Sequence, residues 1–239
     1  MIRVILNIVL LLIVAACTWT GYRKGLIAGI AGILAVVIAL FGGSIVSSLY
    51  AHEVVPVMEP FADGAIDSQN TRTEILKAMG YEYSDMSLED ILARDSSLRI
   101  TYAEECFKYL GIYQERSEEM ARSAVEYANR NGCGMTDAVV TVLCDTASNI
   151  GGLVVAFLLI LIVLVTVANI FNLSFRLPNL ELLDEIGGAM LGFVKGFMYC
   201  VLLCWVLSFL GFLIGKDTLD STTLAQFFLQ IKFLTASLL

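Results

Sequence analysis

Histidine is nearly missing from this sequence: His52 is the only one in 239 residues. Any Ser–His–Asp or Cys–His catalytic arrangement would have to run through that one residue. It stands next to Glu53 at the end of an apolar run and reads as half of a solvated interfacial pair. No Cys-x2-Cys pair accompanies it, so zinc ligation has no starting point. There is no glycine-rich phosphate loop and no dinucleotide fingerprint. Catalysis, a resident metal and a cofactor are therefore not expected. Basic residues are also short, 15 against 23 acidic ones, for a formal net charge of −8. That removes the basic face a nucleic acid would require.

Charge of either sign is scarce, at 16% of residues, while 58% are apolar and the mean hydropathy is +0.79. An ordinary soluble domain is not this apolar. Crossing about 30 Å of hydrocarbon takes about 20 apolar residues. Four windows meet that length: 2–19 with Arg3 at its edge, 26–50 and 150–175 without charge, and 186–215 with only Lys195. The expected fold is an all-α integral membrane protein with four transmembrane helices, so the lipid bilayer is its first partner. The chain divides into a first helix pair (1–50), a polar insert (51–147), a second helix pair (148–215) and a tail (216–239). The insert holds 18 of the 23 acidic residues and 8 of the 15 basic ones. The acidity is thus local to it.

Arg23 and Lys24 lie in the loop between the first two spans with no acid nearby. Basic residues in short loops stay on the cytoplasmic side. Both termini and the insert are then extracytoplasmic, and Arg176 joins Arg23 and Lys24 inside. VAAC (14–17) has the form of a lipid-attachment site. Only Arg3 precedes it while two basic residues follow, the reverse of a signal sequence, so Cys17 reads as a small apolar helix residue.

GYRKGLI (21–27) and GFVKGFM (192–198) share Gly–aromatic–x–Lys–Gly and two large apolar residues. The echo suggests two parallel helix-pair repeats, a plan used by membrane transporters. Under it Lys195 lies at the depth of Lys24 and snorkels its ammonium to the headgroups. The alternative is a charge on a substrate or proton path. Gly21, Gly25 and Gly29 are spaced by four, as are Gly188, Gly192 and Gly196. Each triplet marks one helical face on which backbones can approach closely, within one chain or in a homo-oligomer. Asn169 and Asn172 read as an interhelical amide and an interfacial residue at the end of the third span.

The insert has helical pattern: 71–79, a near capping box in SLEDIL (87–92), 102–110, 115–131 ending at Asn131–Gly132, and 136–148, which leads towards the third span. It is expected to form a small helical cap. Cys106, Cys133 and Cys144 lie there. An outside location permits one disulfide in any of three pairings, with one thiol left over.

The RKG turn after the first span and DEIGGAMLGFVKG (184–196) resemble the colicin V production protein family of bacterial inner-membrane proteins. That family's last helix opens with Asp–Arg–x–Leu–Gly–x3–Gly–x2–basic–Gly. Asp184, Gly188, Gly192, Lys195 and Gly196 match it, whereas Glu185 stands where arginine is usual and Gly187 where leucine is usual. The resemblance implies a multi-pass protein of the bacterial cytoplasmic membrane linked to toxin production or export and to envelope homeostasis. A non-catalytic membrane assembly component, partnered by its own copies or by other membrane proteins, is the expected role. The alternative is a small oligomeric transporter or channel, with Lys195, Asn169 and Asn172 along its path.

Overall fold

The computed structural model describes residues 2–66, 69–80, 88, 91–92, 95, 97–170, 181–209 and 223–229. Among them it is all-helical: α1 (Ile2–Ile66), α2 (Gln69–Ala78), α3 (Leu98–Tyr109), α4 (Gln114–Asn131), α5 (Met135–Ile170), α6 (Glu181–Phe209) and α7 (Thr223–Leu229). Three segments are long and apolar enough to cross a membrane: Val4–Ala51 within α1, α5, and α6. The chain separates into two compact units. One comprises Met1–Ser48, Gly151–Leu207 and Asp217–Leu239; the other comprises Leu49–Ile150 and Ser208–Lys216.

In the first unit, the spans expected at 2–19 and 26–50 both fall within α1. As one straight helix, Val4–Ala51 would measure about 72 Å, more than twice the hydrocarbon thickness. It is not straight. Gly25 leaves the helical region with φ 82° and ψ 178°, a conformation that costs glycine little and other residues much. The neighbours of α6 show what the break does. Moving along α6, Gly188 meets Gly21, Gly192 meets Cys17, and Gly196 meets Val14, so this arm of α1 runs against α6. On the other arm Gly187 meets Leu26, Leu191 meets Gly29, and Lys195 meets Gly32, so that arm runs with α6. The chain therefore doubles back at Gly25. The second arm also packs against α5 in the opposite sense, Gly42 against Ile160, Gly43 against Phe157 and Ser47 against Gly152.

Leu6, Leu10, Cys200, Val201 and Cys204 form one apolar cluster of this unit with Ala225 and Phe228 of α7. Val36, Ala39, Leu40 and Phe157 form another. Large apolar side chains such as Leu11, Leu34, Phe41, Leu159 and Ile162 are exposed. In water they would make a large sticky surface; in a membrane they face lipid tails.

The second unit carries its own core, in which Ile75, Tyr102, Phe107, Met120 and Val139 are buried. α2, α3 and α4 realise the helices expected at 71–79, 102–110 and 115–131. The stop at Gly132 follows the expected mechanism: φ is 66° and its N–H donates to the Ala128 carbonyl at 2.8 Å, closing the helix in a left-handed cap. The segment 136–148 and the third span form one continuous helix, α5. The capping box at Ser87 lies outside the described residues.

No disulfide joins Cys106, Cys133 and Cys144; all three are free thiols. Cys106 and Cys144 are buried in the apolar core of the second unit, where each packs as a small hydrophobe. Burial pushes the Cys106 thiol up to about 12, which suppresses the reactive thiolate. In purified protein at pH 8, a maleimide should modify the half-buried Cys133 and spare Cys106 and Cys144 until denaturant is added. Peptide mass spectrometry reads this directly. Equal modification of all three in the folded protein would contradict the packing.

Candidate functional site

The first unit holds a half-open cavity of about 170 Å³. The first arm of α1 lends it Cys17, Thr20, Gly21 and Lys24, one turn apart along one face. The second arm contributes Ala28, Gly29, Gly32 and Ala35, again at helical spacing. α5 adds Val165, Ala168 and Asn169, and α6 adds Leu191, Gly192 and Lys195. Small residues make the space. A Cβ placed at Gly32 would stand 3.2 Å from the Lys195 Nζ, so a side chain there would crowd the ammonium. Lys195 Nζ lies 5.6 Å from the centroid of the Tyr199 ring, within cation–π range.

Among the described residues the lining thus carries two ammonium groups, a hydroxyl, an amide and a thiol, and no carboxylate. Thr20 donates its hydroxyl hydrogen to the Cys17 carbonyl at 2.9 Å, a local bond that leaves its oxygen able to accept.

Asp184 stands at the break in α1. It is 3% exposed, and its Oδ1 accepts the Leu26 N–H at 2.8 Å. Leu26 begins the second arm, where an α-helix leaves its first N–H groups unpaired. The carboxylate, 158 residues away in sequence, does the work of an N-cap from another helix and meets the positive end of the helix dipole. Glycine is required at position 25 twice over: for its φ, and because an added Cβ would stand 2.8 Å from Asp184 Cγ.

The expected site residues distribute as follows. Gly21, Gly188 and Gly192 meet backbone to backbone, with Gly25 against Gly188 and Gly196 against Val14 and Cys17, while Gly29 faces Leu191. Lys24, Asn169 and Lys195 share the cavity, and Arg23 is not part of its lining. Asn172 and Arg176 lie outside the described residues. The GYRKG and GFVKG motifs adopt different conformations. The first contains the break, while the second lies inside continuous α6, whose start is at Glu181. Lys195 is level with Gly32 and Cys17, about 10–12 Å inward from the turn at the rise of an α-helix, and not at the depth of Lys24. The physical reason is that Gly25 is held open by Asp184, while the corresponding glycine of α6 is needed flat against the first arm.

Sequence reasoning missed Thr20, the role of Gly32 and the cap formed by Asp184. The run AGIAGILA (28–35) carried a signal for the second, since small residues recur there at helical spacing. Nothing local to Asp184 announces a partner at Leu26.

The family model described as "Colicin V production protein" matches residues 121–232. The match includes DEIGGAMLGFVKG and bears out the resemblance that this stretch carries. No curated protein and no solved structure matches the chain.

Proposed function

We propose that this multi-pass membrane protein of the colicin V production family is a non-catalytic assembly component of the bacterial cytoplasmic membrane. It acts in toxin (bacteriocin) production or export and in envelope homeostasis. The observation that carries the reading is the second unit, an acidic helical body with its own apolar core, borne by a chain whose other unit is built from membrane-length helices. Such a body offers a folded surface to partner proteins. Four crossings follow if each arm of α1 spans the bilayer separately. Retention of Arg23 and Lys24 inside then puts both termini and residues 51–147 outside.

Single cysteines at Lys24 and at the exposed Glu118, in a cysteine-free background, test this topology. A membrane-impermeant thiol reagent should label Glu118→Cys in intact cells, and Lys24→Cys only in inverted vesicles. Labelling of Lys24→Cys from outside would reverse the orientation.

A second reading, a small oligomeric transporter or channel, draws on the cavity that gathers Lys24, Asn169 and Lys195. Complementation of a deletion strain separates the two. As an assembly component, Lys195→Leu restores envelope integrity to near the wild-type level. As a transporter, the same variant accumulates normally and restores nothing.

A further inference from the structure

The geometry points to the cavity of the first unit as a binding site for a phosphate-class anion, either the headgroup phosphate of an anionic lipid or a free anion. Lys24 and Lys195 line it from different arms of the unit, and among the described residues no carboxylate does. Neither lysine makes an ion pair among the described residues. The nearby carboxylate of Asp184 is engaged with the Leu26 N–H. Two like charges lining one pocket in a unit built for a membrane repel each other in a medium that screens them poorly. An anion between them would reverse that cost. The Asn169 amide and the hydroxyl of Thr20 add neutral hydrogen-bonding capacity beside the charges.

Size and position agree. The cavity has roughly ten times the space that one water requires, enough for a tetrahedral anion with residual water. The turn at Gly25 must lie at a membrane edge, because the apolar chain reverses there, and Lys24 precedes it by one residue. A basic pocket between helices at the edge of a bilayer is the setting in which lipid headgroups are held. Gly32 lies close against the Lys195 side chain: a Cβ there would stand 3.2 Å from the Lys195 Nζ, so the glycine leaves the ammonium its present room.

Anion binding here is independent of the assembly role, which would stand without it. The test uses the full chain purified in a neutral detergent. Thermal unfolding is followed with added phosphatidylglycerol, with phosphatidylcholine, and with inorganic phosphate against chloride at matched ionic strength. Phosphatidylglycerol or phosphate should raise the unfolding temperature by several degrees, and phosphatidylcholine should not. Lys24→Gln and Lys195→Met should each at least halve that shift, and the double variant should remove it. Lys108→Gln, in the second unit, should leave it whole. A shift with inorganic phosphate identifies a free-anion site; a shift with phosphatidylglycerol alone identifies a headgroup site. No shift with either, or an undiminished shift in the double variant, overturns the proposal. Native mass spectrometry of retained phosphatidylglycerol gives the same comparison without unfolding, with the adduct expected on wild type and lost from the double variant.

Discussion

Gly192→Leu should dismantle the membrane unit. A Cβ at this position would lie 3.1 Å from the Cα of Gly21 and 3.1 Å from the carbonyl carbon of Cys17, and closer still to the Cys17 oxygen. The obstacle is backbone on the facing arm, which cannot move aside as a flexible side chain would. Leucine adds three further carbons to the same gap. Ordinary overpacking costs about 1–3 kcal/mol; against two backbones the cost should exceed about 3 kcal/mol, a large part of the stability of a typical domain. Helices in lipid have no hydrophobic effect to drive them together, so close approach and its dispersion contacts are what hold them. The expected readout is loss of the monodisperse peak in detergent and a sharp fall in accumulation. Gly151→Leu is the matched control, because a Cβ there meets nothing within 4 Å. It should change stability by less than about 0.5 kcal/mol. Equal stability of the two variants would show that the glycine seam does not hold the unit together.

The second large effect concerns the turn, and here the two residues should be coupled. Gly25→Ala puts an L-residue at φ 82° and ψ 178°, a region all but reserved for glycine, costing about 1–3 kcal/mol, and drives its Cβ into the Asp184 carboxylate. Asp184→Ala leaves the Leu26 N–H without its acceptor, at about 1–3 kcal/mol. All three atoms nearest the new Cβ belong to Asp184. Removing that side chain removes the clash, so the double variant should be less destabilised than the sum of the singles by about 1–2 kcal/mol. Unfolding midpoints of the four proteins measure the coupling. Strict additivity would mean that the carboxylate does not occupy the space beside Gly25. Asp184→Asn tests the cap by itself. Its amide oxygen can still accept from Leu26, so only the charge-assisted part is lost.

Much of the fold was legible because the bilayer imposes a coarse rule. Length and apolarity alone marked 26–50, 150–175 and 186–215, and the described residues of those stretches lie in α1, α5 and α6; 171–175 and 210–215 lie outside the described residues. The cap helices at 102–110 and 115–131 were readable from turn chemistry, above all the left-handed stop at Gly132. The repeat was the misleading signal. GYRKG and GFVKG are alike as strings, yet one is bent and the other straight, because the conformation of a Lys–Gly step is set by what faces the glycine. The cysteines were not decided by sequence: an odd number in the insert permitted one disulfide or none, and in the structure all three are free thiols, with Cys106 and Cys144 filling the core.

By itself, the sequence determined that this chain enters a membrane, that its acidity is confined to one insert, and that Gly188, Gly192 and Gly196 line one helical face; the other expected face does not exist, because the break at Gly25 puts Gly21 and Gly29 on separate arms. Each is a property of composition or of periodicity along one element, and needs no partner to be true. Only the tertiary structure decided that Gly21 and Gly25 meet Gly188 and Gly192 within one chain, that Asp184 caps a helix begun 158 residues earlier, and that Lys24 and Lys195 share one cavity. Those depend on which faces are opposed and in what register, and in a membrane that choice rests on steric fit between helices whose apolar surfaces are otherwise interchangeable.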